Sequence, residues 1–144
     1  PESRFEDAHD PELRDDGTVL LYDNGGFLNH SPGEYHSRVL EYQLDEEAKT
    51  ATRTFEFPGD FDVDTWYKEE WYSAIMGSAN RLANGNILVN APGGLSTRVT
   101  RIFEITRSGE VVWQIMLPAG VNSYRARRIS PAPLVESLHW ASHQ

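Results

Sequence analysis

The stretch Glu12-Leu13-Arg14-Asp15-Asp16-Gly17-Thr18-Val19-Leu20-Leu21-Tyr22-Asp23-Asn24-Gly25-Gly26 decides the fold, because it occurs twice. The second copy is Asn80-Arg81-Leu82-Ala83-Asn84-Gly85-Asn86-Ile87-Leu88-Val89-Asn90-Ala91-Pro92-Gly93-Gly94. Each copy carries a leucine, a polar-Gly turn, an apolar β-forming run and a Gly-Gly exit. Further on, Ser37-Arg38-Val39-Leu40-Glu41-Tyr42 is echoed by Thr100-Arg101-Ile102-Phe103-Glu104-Ile105. Each echo precedes a turn and another extended run, Thr50–Phe57 in the first copy and Val111–Leu117 in the second. Asp16-Gly17 and Asn84-Gly85 are strong hairpin signals, since these residue types accept the positive φ of a type I′ turn. Ser108-Gly109 marks another turn. Apolar-polar alternation over 38–44 and 100–105 suits strands with one buried face.

Each copy therefore reads as four antiparallel strands: 8–14, 18–23, 37–44 and 50–57, then 75–82, 86–90, 100–105 and 111–117. Only Thr65–Ser73 suggests a turn of helix. Tandem four-stranded sheets predict an all-β chain, a β-propeller portion of two blades. A β-sandwich would account for the strands, but not for the in-register self-similarity. The spacing between Gly17 and Gly85 exceeds a plain blade of about 40–50 residues. The excess falls in 24–36 and 58–72, read as loops over one face, where binding residues concentrate. The second insertion sets Phe61, Trp66, Tyr67, Trp71 and Tyr72 among acidic residues, as a pocket wall or as a flap over the gap between blades.

The predicted layout is propeller over 1–130, with blades at about 8–57 and 75–117, the start of another at 124–129, and a tail at 131–144. Propellers close with about 4–8 blades. The remaining blades are expected from another protein chain, from copies of this one, or from a missing segment. The opening Pro1-Glu2-Ser3-Arg4, close before a motif-bearing strand, suits a subunit, a processing product or a shortened chain.

Composition removes several function classes. With 39% hydrophobic and 11% aromatic residues, the chain has enough apolar material for a packed core and is not a disordered sequence. The absence of cysteine excludes disulfides, thiolate metal sites and a cysteine nucleophile. A net charge of −9 sets nucleic acid aside as a partner. No apolar run approaches the roughly 20 residues of a membrane span, and no signal-peptide pattern opens the chain. Composition leaves the compartment open.

His9-Asp10-Pro11-Glu12-Leu13 and the following Asp16-Gly17-Thr18-Val19-Leu20-Leu21-Tyr22-Asp23-Asn24-Gly25 resemble the C-terminal blades of the arylsulfate sulfotransferase family. So do 37–42, Gly77-Ser78-Ala79-Asn80-Arg81-Leu82-Ala83-Asn84-Gly85-Asn86 and Tyr124-Arg125-Ala126-Arg127-Arg128-Ile129. The likeness runs in order across residues 5–130. It implies a six-bladed propeller that acts without a cofactor, in which a histidine over the central channel takes a sulfuryl group from a phenolic sulfate and passes it to a phenol. It also implies a periplasmic or secreted location, and places the family's other histidines and its sulfate-binding arginine upstream of this region. Carried over, His9 is the catalytic nucleophile or acid/base group; the second copy has Gly77 at that position.

Candidate substrate-binding residues are His30 and His36 in the first insertion, Trp66 and Trp71 in the second, and Arg125 beyond the second blade. The six-residue spacing of His30 and His36, without clustered carboxylates, is a poor metal signature; no metal site is predicted. Asp10 neighbours His9, but adjacent strand residues point to opposite faces, so a turn or backbone role is expected for it. Asp23-Asn24-Gly25 reads as a strand-end turn. Arg38 and Arg101 occupy equivalent positions, which suggests scaffold ion pairs, and Trp113 reads as packing. Two other functions keep the same propeller: a lyase or hydrolase with His9 as general acid/base, and a non-catalytic module that binds a ligand or protein.

Overall fold

The computed structural model describes residues 5–25, 37–59, 72–93 and 99–129. Within them the chain forms two four-stranded antiparallel sheets, and no helix. The first blade orders β1 (His9–Leu13), β2 (Thr18–Asp23), β3 (Arg38–Asp45) and β4 (Thr50–Phe57) consecutively. The second repeats this with β5 (Ser78–Arg81), β6 (Ile87–Ala91), β7 (Arg101–Ile105) and β8 (Val111–Met116). This all-β arrangement is that of a propeller portion. The helical turn expected at 65–73 and the tail at 131–144 fall outside the described residues, except Tyr72 and Ser73, which are not helical. β5 starts later than the sequence suggests. Met76 and Gly77, at φ of 66° and 111°, turn the backbone out of extended conformation just before it.

The tight turns differ from the expected type I′. In each of three hairpins the turn glycine alone adopts positive φ: Gly17 at 76°, Gly85 at 86° and Gly109 at 81°. The Gly17 amide donates to Arg14 O (3.0 Å) and the Arg14 amide to Thr18 O (2.9 Å). The same pair of bonds recurs at Leu82–Asn86 and Thr106–Glu110. This is a type I turn closed by a left-handed glycine. Asp16 and Asn84 serve it with their side chains, accepting the amides of Thr18 (3.0 Å) and Asn86 (3.1 Å). Those Thr18 hydrogen bonds, led by its hydroxyl, hold the Asp16 carboxyl below its ordinary pKa.

Alternation along the strands sorts the side chains into two clusters. Leu20, Tyr22, Val39, Phe55 and Phe57 of the first blade pack with Ala79, Ile87, Val89, Ala91, Phe103 and Ile105 of the second. One apolar core is thus shared between sheets, with the Phe57 and Phe103 rings 6.1 Å apart. Burying each large side chain stabilises the fold by roughly 1.5–3 kcal/mol. The opposite face of the first blade carries a smaller cluster of Leu21, Leu40 and Tyr42, with Ala8, Val19 and Leu44 against it. On the outer strand β8, Val112, Trp113, Ile115 and Met116 are exposed. Trp113, expected to be packing, is therefore at the surface of this chain.

Charged side chains fasten the same seam. Glu41 on β3 is buried and ion-paired with both Arg81 on β5 and Arg107 in the β7–β8 turn. In the second blade its equivalent, Glu104, takes Arg128 at 2.6 Å. Arg81 and Arg128 sit alike in the patterns Gly77–Arg81 and Tyr124–Arg128. The segment 121–129 thus meets the second blade as the second blade meets the first. It is not paired into a sheet, but Gly77 N–H donates to Tyr124 O (3.2 Å) and Ala126 N–H to Ser78 Oγ (3.1 Å). Arg38 holds the scaffold role expected of it, bonded to Asp23 (2.5 Å) and Glu56 (3.3 Å).

Gly77 is the tightest point of the seam. A Cβ there would lie 2.5 Å from the ring of Tyr22, which is fully buried; burial pushes its phenol pKa well up. Gly77→Ala is expected to lower unfolding stability by about 3 kcal/mol or more, through overlap and positive φ together. Gly85→Ala shares the positive φ but meets open space, and is expected to cost only about 1 kcal/mol. Denaturant midpoints of the two variants check this; equal losses would show that the Tyr22 contact is immaterial.

A second expectation concerns acid. Hydrogen bonds from Asn84 and Asn86, then Arg128, hold the Glu104 carboxyl below its ordinary pKa. A depressed folded-state pKa contributes stability above the unfolded value, about 4.3, and loses it as pH falls through the folded one. Denaturant melts between pH about 6 and 2 should therefore show a shallower acid loss in Glu104→Gln than in the parent chain. An unchanged slope would mean that the three donors do not stabilise the carboxylate.

Candidate functional site

The tight turns at Arg14–Thr18, Asp45–Thr50, Leu82–Asn86 and Thr106–Glu110 all lie at one end of the sheets, as the antiparallel order dictates. The long connections β2–β3, β4–β5 and β6–β7 leave and re-enter at the other. His9, the first residue of β1, stands at that second end. It pairs with Tyr22, and the register then shifts before Glu12. Asp10, at φ 52°, forms the irregularity and breaks simple alternation between the His9 and Asp10 side chains.

His9 is half-buried and bonded at both ring nitrogens. Nδ1 lies 2.7 Å from Asn24 Oδ1 and 2.9 Å from Asp7 O. Both are oxygen acceptors, so Nδ1 carries the proton and donates. The Met76 amide donates to Nε2 at 3.3 Å, so Nε2 keeps its lone pair. Three independent partners define one neutral tautomer. A left-handed Asp7, at φ 56°, turns its carbonyl towards the ring.

Asn24 is the hub of this network. It is 1% exposed, and its Nδ2 donates to Ser73 O (2.6 Å) and Met76 O (2.9 Å). Behind it, Ser37 Oγ accepts the Ser73 amide (3.0 Å). The first blade is thereby tied, through Asn24 and His9, to the segment that leads into β5. Asp23 is also fully buried; besides Arg38 it accepts the amides of Glu6 (2.8 Å) and Gly25 (3.0 Å). The stretch expected to be a strand-end turn does turn there, with Gly25 at φ 78°, and is in addition a buried polar anchor with donors and acceptors matched.

Asp10 does not orient His9. Its carboxylate takes Arg127 at 3.0 Å, Arg125 at 3.5 Å and the Asn80 amide nitrogen at 3.3 Å. Arg125 and Arg127 are both about half exposed, and the Arg125 guanidinium also lies over the Tyr124 ring, 5.1 Å from its centre. Two cations share one carboxylate here, leaving positive charge beside the residue that follows His9. Arg125 thus pairs with the residue that follows the candidate histidine in the chain. His30, His36, Trp66 and Trp71 lie outside the described residues. Among the described residues no group of three or more His, Asp or Glu is arranged to hold a metal.

Sequence reasoning singled out His9 and Arg125 but missed Asn24 and the Met76 amide. A signal for Asn24 was present. Where the first copy has His9 and Asn24, the second has Gly77 and Pro92, so the two residues are replaced together. Met76 left no such trace, because a backbone amide has no letter in the sequence.

No curated protein matches the chain. The model of the family described as arylsulfotransferase (ASST) matches residues 3–125, which takes in both blades, the His9–Asn24 pair and Arg125. The chain belongs to the arylsulfotransferase family.

Proposed function

We propose that this chain contributes to a β-propeller enzyme that moves a sulfuryl group from a phenolic sulfate to a phenolic acceptor, with His9 Nε2 as the nucleophile. Family membership supports the reaction class. The observation that carries the residue assignment is the hydrogen bonding of His9: Nδ1 is committed as a donor, and the nitrogen with the lone pair is Nε2.

In the first step the Nε2 lone pair attacks sulfur in line. The N–S bond forms as the S–O bond to the aryl group breaks, and the phenolate leaves with that electron pair and takes a proton from a donor or water. The ring becomes a sulfo-imidazolium, whose Nδ1–H points at Asn24 Oδ1 and Asp7 O, two acceptors suited to the charge that has developed. In the second step the acceptor's phenolic oxygen attacks sulfur and loses its proton to a base, and the N–S bond returns its electrons to Nε2. The Met76 amide must yield Nε2 to the substrate; at 3.3 Å its hydrogen bond is already long. Arg125, with Arg127 beside it, binds the non-bridging sulfate oxygens, as guanidinium groups suit such anions. His30, His36, Trp66 and Trp71 belong to the connections at this same end and are proposed to bind the aromatic substrate.

The remaining blades are proposed to come from another chain, from further copies, or from a missing segment of a longer polypeptide, and the repeat supports a need for them. Ile87, Val89, Phe103 and Ile105, which the second blade buries against the first, correspond in the two copies to Val19, Leu21, Leu40 and Tyr42. That first-blade face lines an apolar groove of about 550 Å³ with Phe5, Ala8 and Pro11 at its edge. It is the face on which a preceding blade would sit. The binding-module alternative calls for an exposed, unengaged His9, which three hydrogen bonds do not favour.

In the assembled particle, His9→Ala should reduce release of the phenol from an aryl sulfate by about 10³-fold or more, without changing the particle's mass. Mass spectrometry of the parent enzyme, quenched with the donor alone, should find a sulfo group on His9. Turnover at the parent rate in an intact His9→Ala particle would sink the assignment.

A further inference from the structure

We infer that Asn24 is the positioning residue that sets the tautomer of His9, by presenting an acceptor, and only an acceptor, to Nδ1. The inference rests on the reading of His9 as nucleophile for its catalytic meaning, but not for its geometry. An asparagine side chain has one oxygen and one NH₂ group. The NH₂ group of Asn24 is committed to two carbonyls, Ser73 O and Met76 O, at 2.6 and 2.9 Å. Reversing the amide would set its oxygen against both of them. The oxygen must therefore face His9, where it lies 2.7 Å from Nδ1. The side chain is buried, so its amide orientation is set by these protein partners. The loop carbonyls thus fix the amide, and the amide, the nearer of the two acceptors at Nδ1 (Asp7 O lies at 2.9 Å), holds the ring proton there, while the longer Met76 hydrogen bond at Nε2 favours the same form. This is the logic by which buried carboxylates or carbonyls orient the second nitrogen of working histidines.

A scaffold explanation is weaker. The second blade is built without the pair, carrying Gly77 and Pro92 instead, and both sheets have the same strand order. Forming a blade by itself therefore requires no asparagine and histidine in these places, although here the pair also ties the first blade to segment 73–76.

The test reads the ring directly. Long-range ¹H–¹⁵N spectra of the assembled, ¹⁵N-histidine-labelled protein, with His9 identified by its loss in His9→Ala, report which nitrogen is protonated. The parent should show the Nδ1–H form. Asn24→Ala should shift His9 towards the Nε2–H form that free imidazole prefers, and lower kcat by about 10- to 100-fold. Asn24→Asp keeps an oxygen facing Nδ1 but removes the donors to Ser73 and Met76; it should retain the Nδ1–H form. An Nε2–H ring in the parent, or an unchanged Nδ1–H ring in a folded Asn24→Ala, would overturn the inference. So would the loss of the Nδ1–H form in both variants, because the loop anchor would then be what matters. Full turnover by His9→Ala would instead remove the nucleophile reading and leave the tautomer result standing.

Discussion

Everything in this chain depends on the face-to-face burial of its two sheets. The main apolar core belongs to neither sheet alone. Leu20, Tyr22, Phe55 and Phe57 leave water only because Ile87, Val89, Phe103 and Ile105 arrive from the other side. The closest approach, at Gly77 over Tyr22, tolerates no side chain at all, so it fixes how near the inner strands come. Glu41, Arg81 and Arg107 secure the outer part of the seam. A buried carboxylate with two guanidinium partners adds less to stability than its charge suggests, since desolvation offsets attraction, but it penalises any other register of one sheet on the other.

The candidate chemistry grows out of that seam. The segment 73–77 must turn sharply to bring Gly77 against Tyr22, and Met76 takes a left-handed backbone to do so. The carbonyls and the amide turned out in that bend are the groups that hold Asn24 and meet His9 Nε2. One local geometry therefore serves packing and site together. The surroundings of His9 are shaped by the contact between blades as much as by its own strand.

Much of this was legible in the sequence. The doubled turn-and-strand pattern led to eight strands and their order, and β2 and β4 match the expected bounds residue for residue. His9 stood out through the family resemblance, and the repeat, with Gly77 in its place, set it apart from a blade-building position. What could not be read arose from tertiary contacts. The Asp-Gly and Asn-Gly pairs marked turns correctly but not their type, since a type I turn with a left-handed glycine uses the same letters. Asp23 and Asn24 read as a strand-end turn from their composition, and only their partners on Arg38, Ser73 and Met76 explain their burial. Trp113 looked like core by residue type, yet burial on an outer strand is decided by a neighbour outside the strand's own sequence.

The two ends of the sheets are under unequal constraint. At one end the strands are joined by turns in which a single glycine and an Asx side chain fix the geometry, so adding or removing a residue would throw neighbouring strands out of step. At the opposite end the connections are long, and length changes there leave the ladders untouched. The ladders therefore tolerate insertion at that end and resist it at the other, so variation in chain length is channelled to the end at which β1 begins with His9.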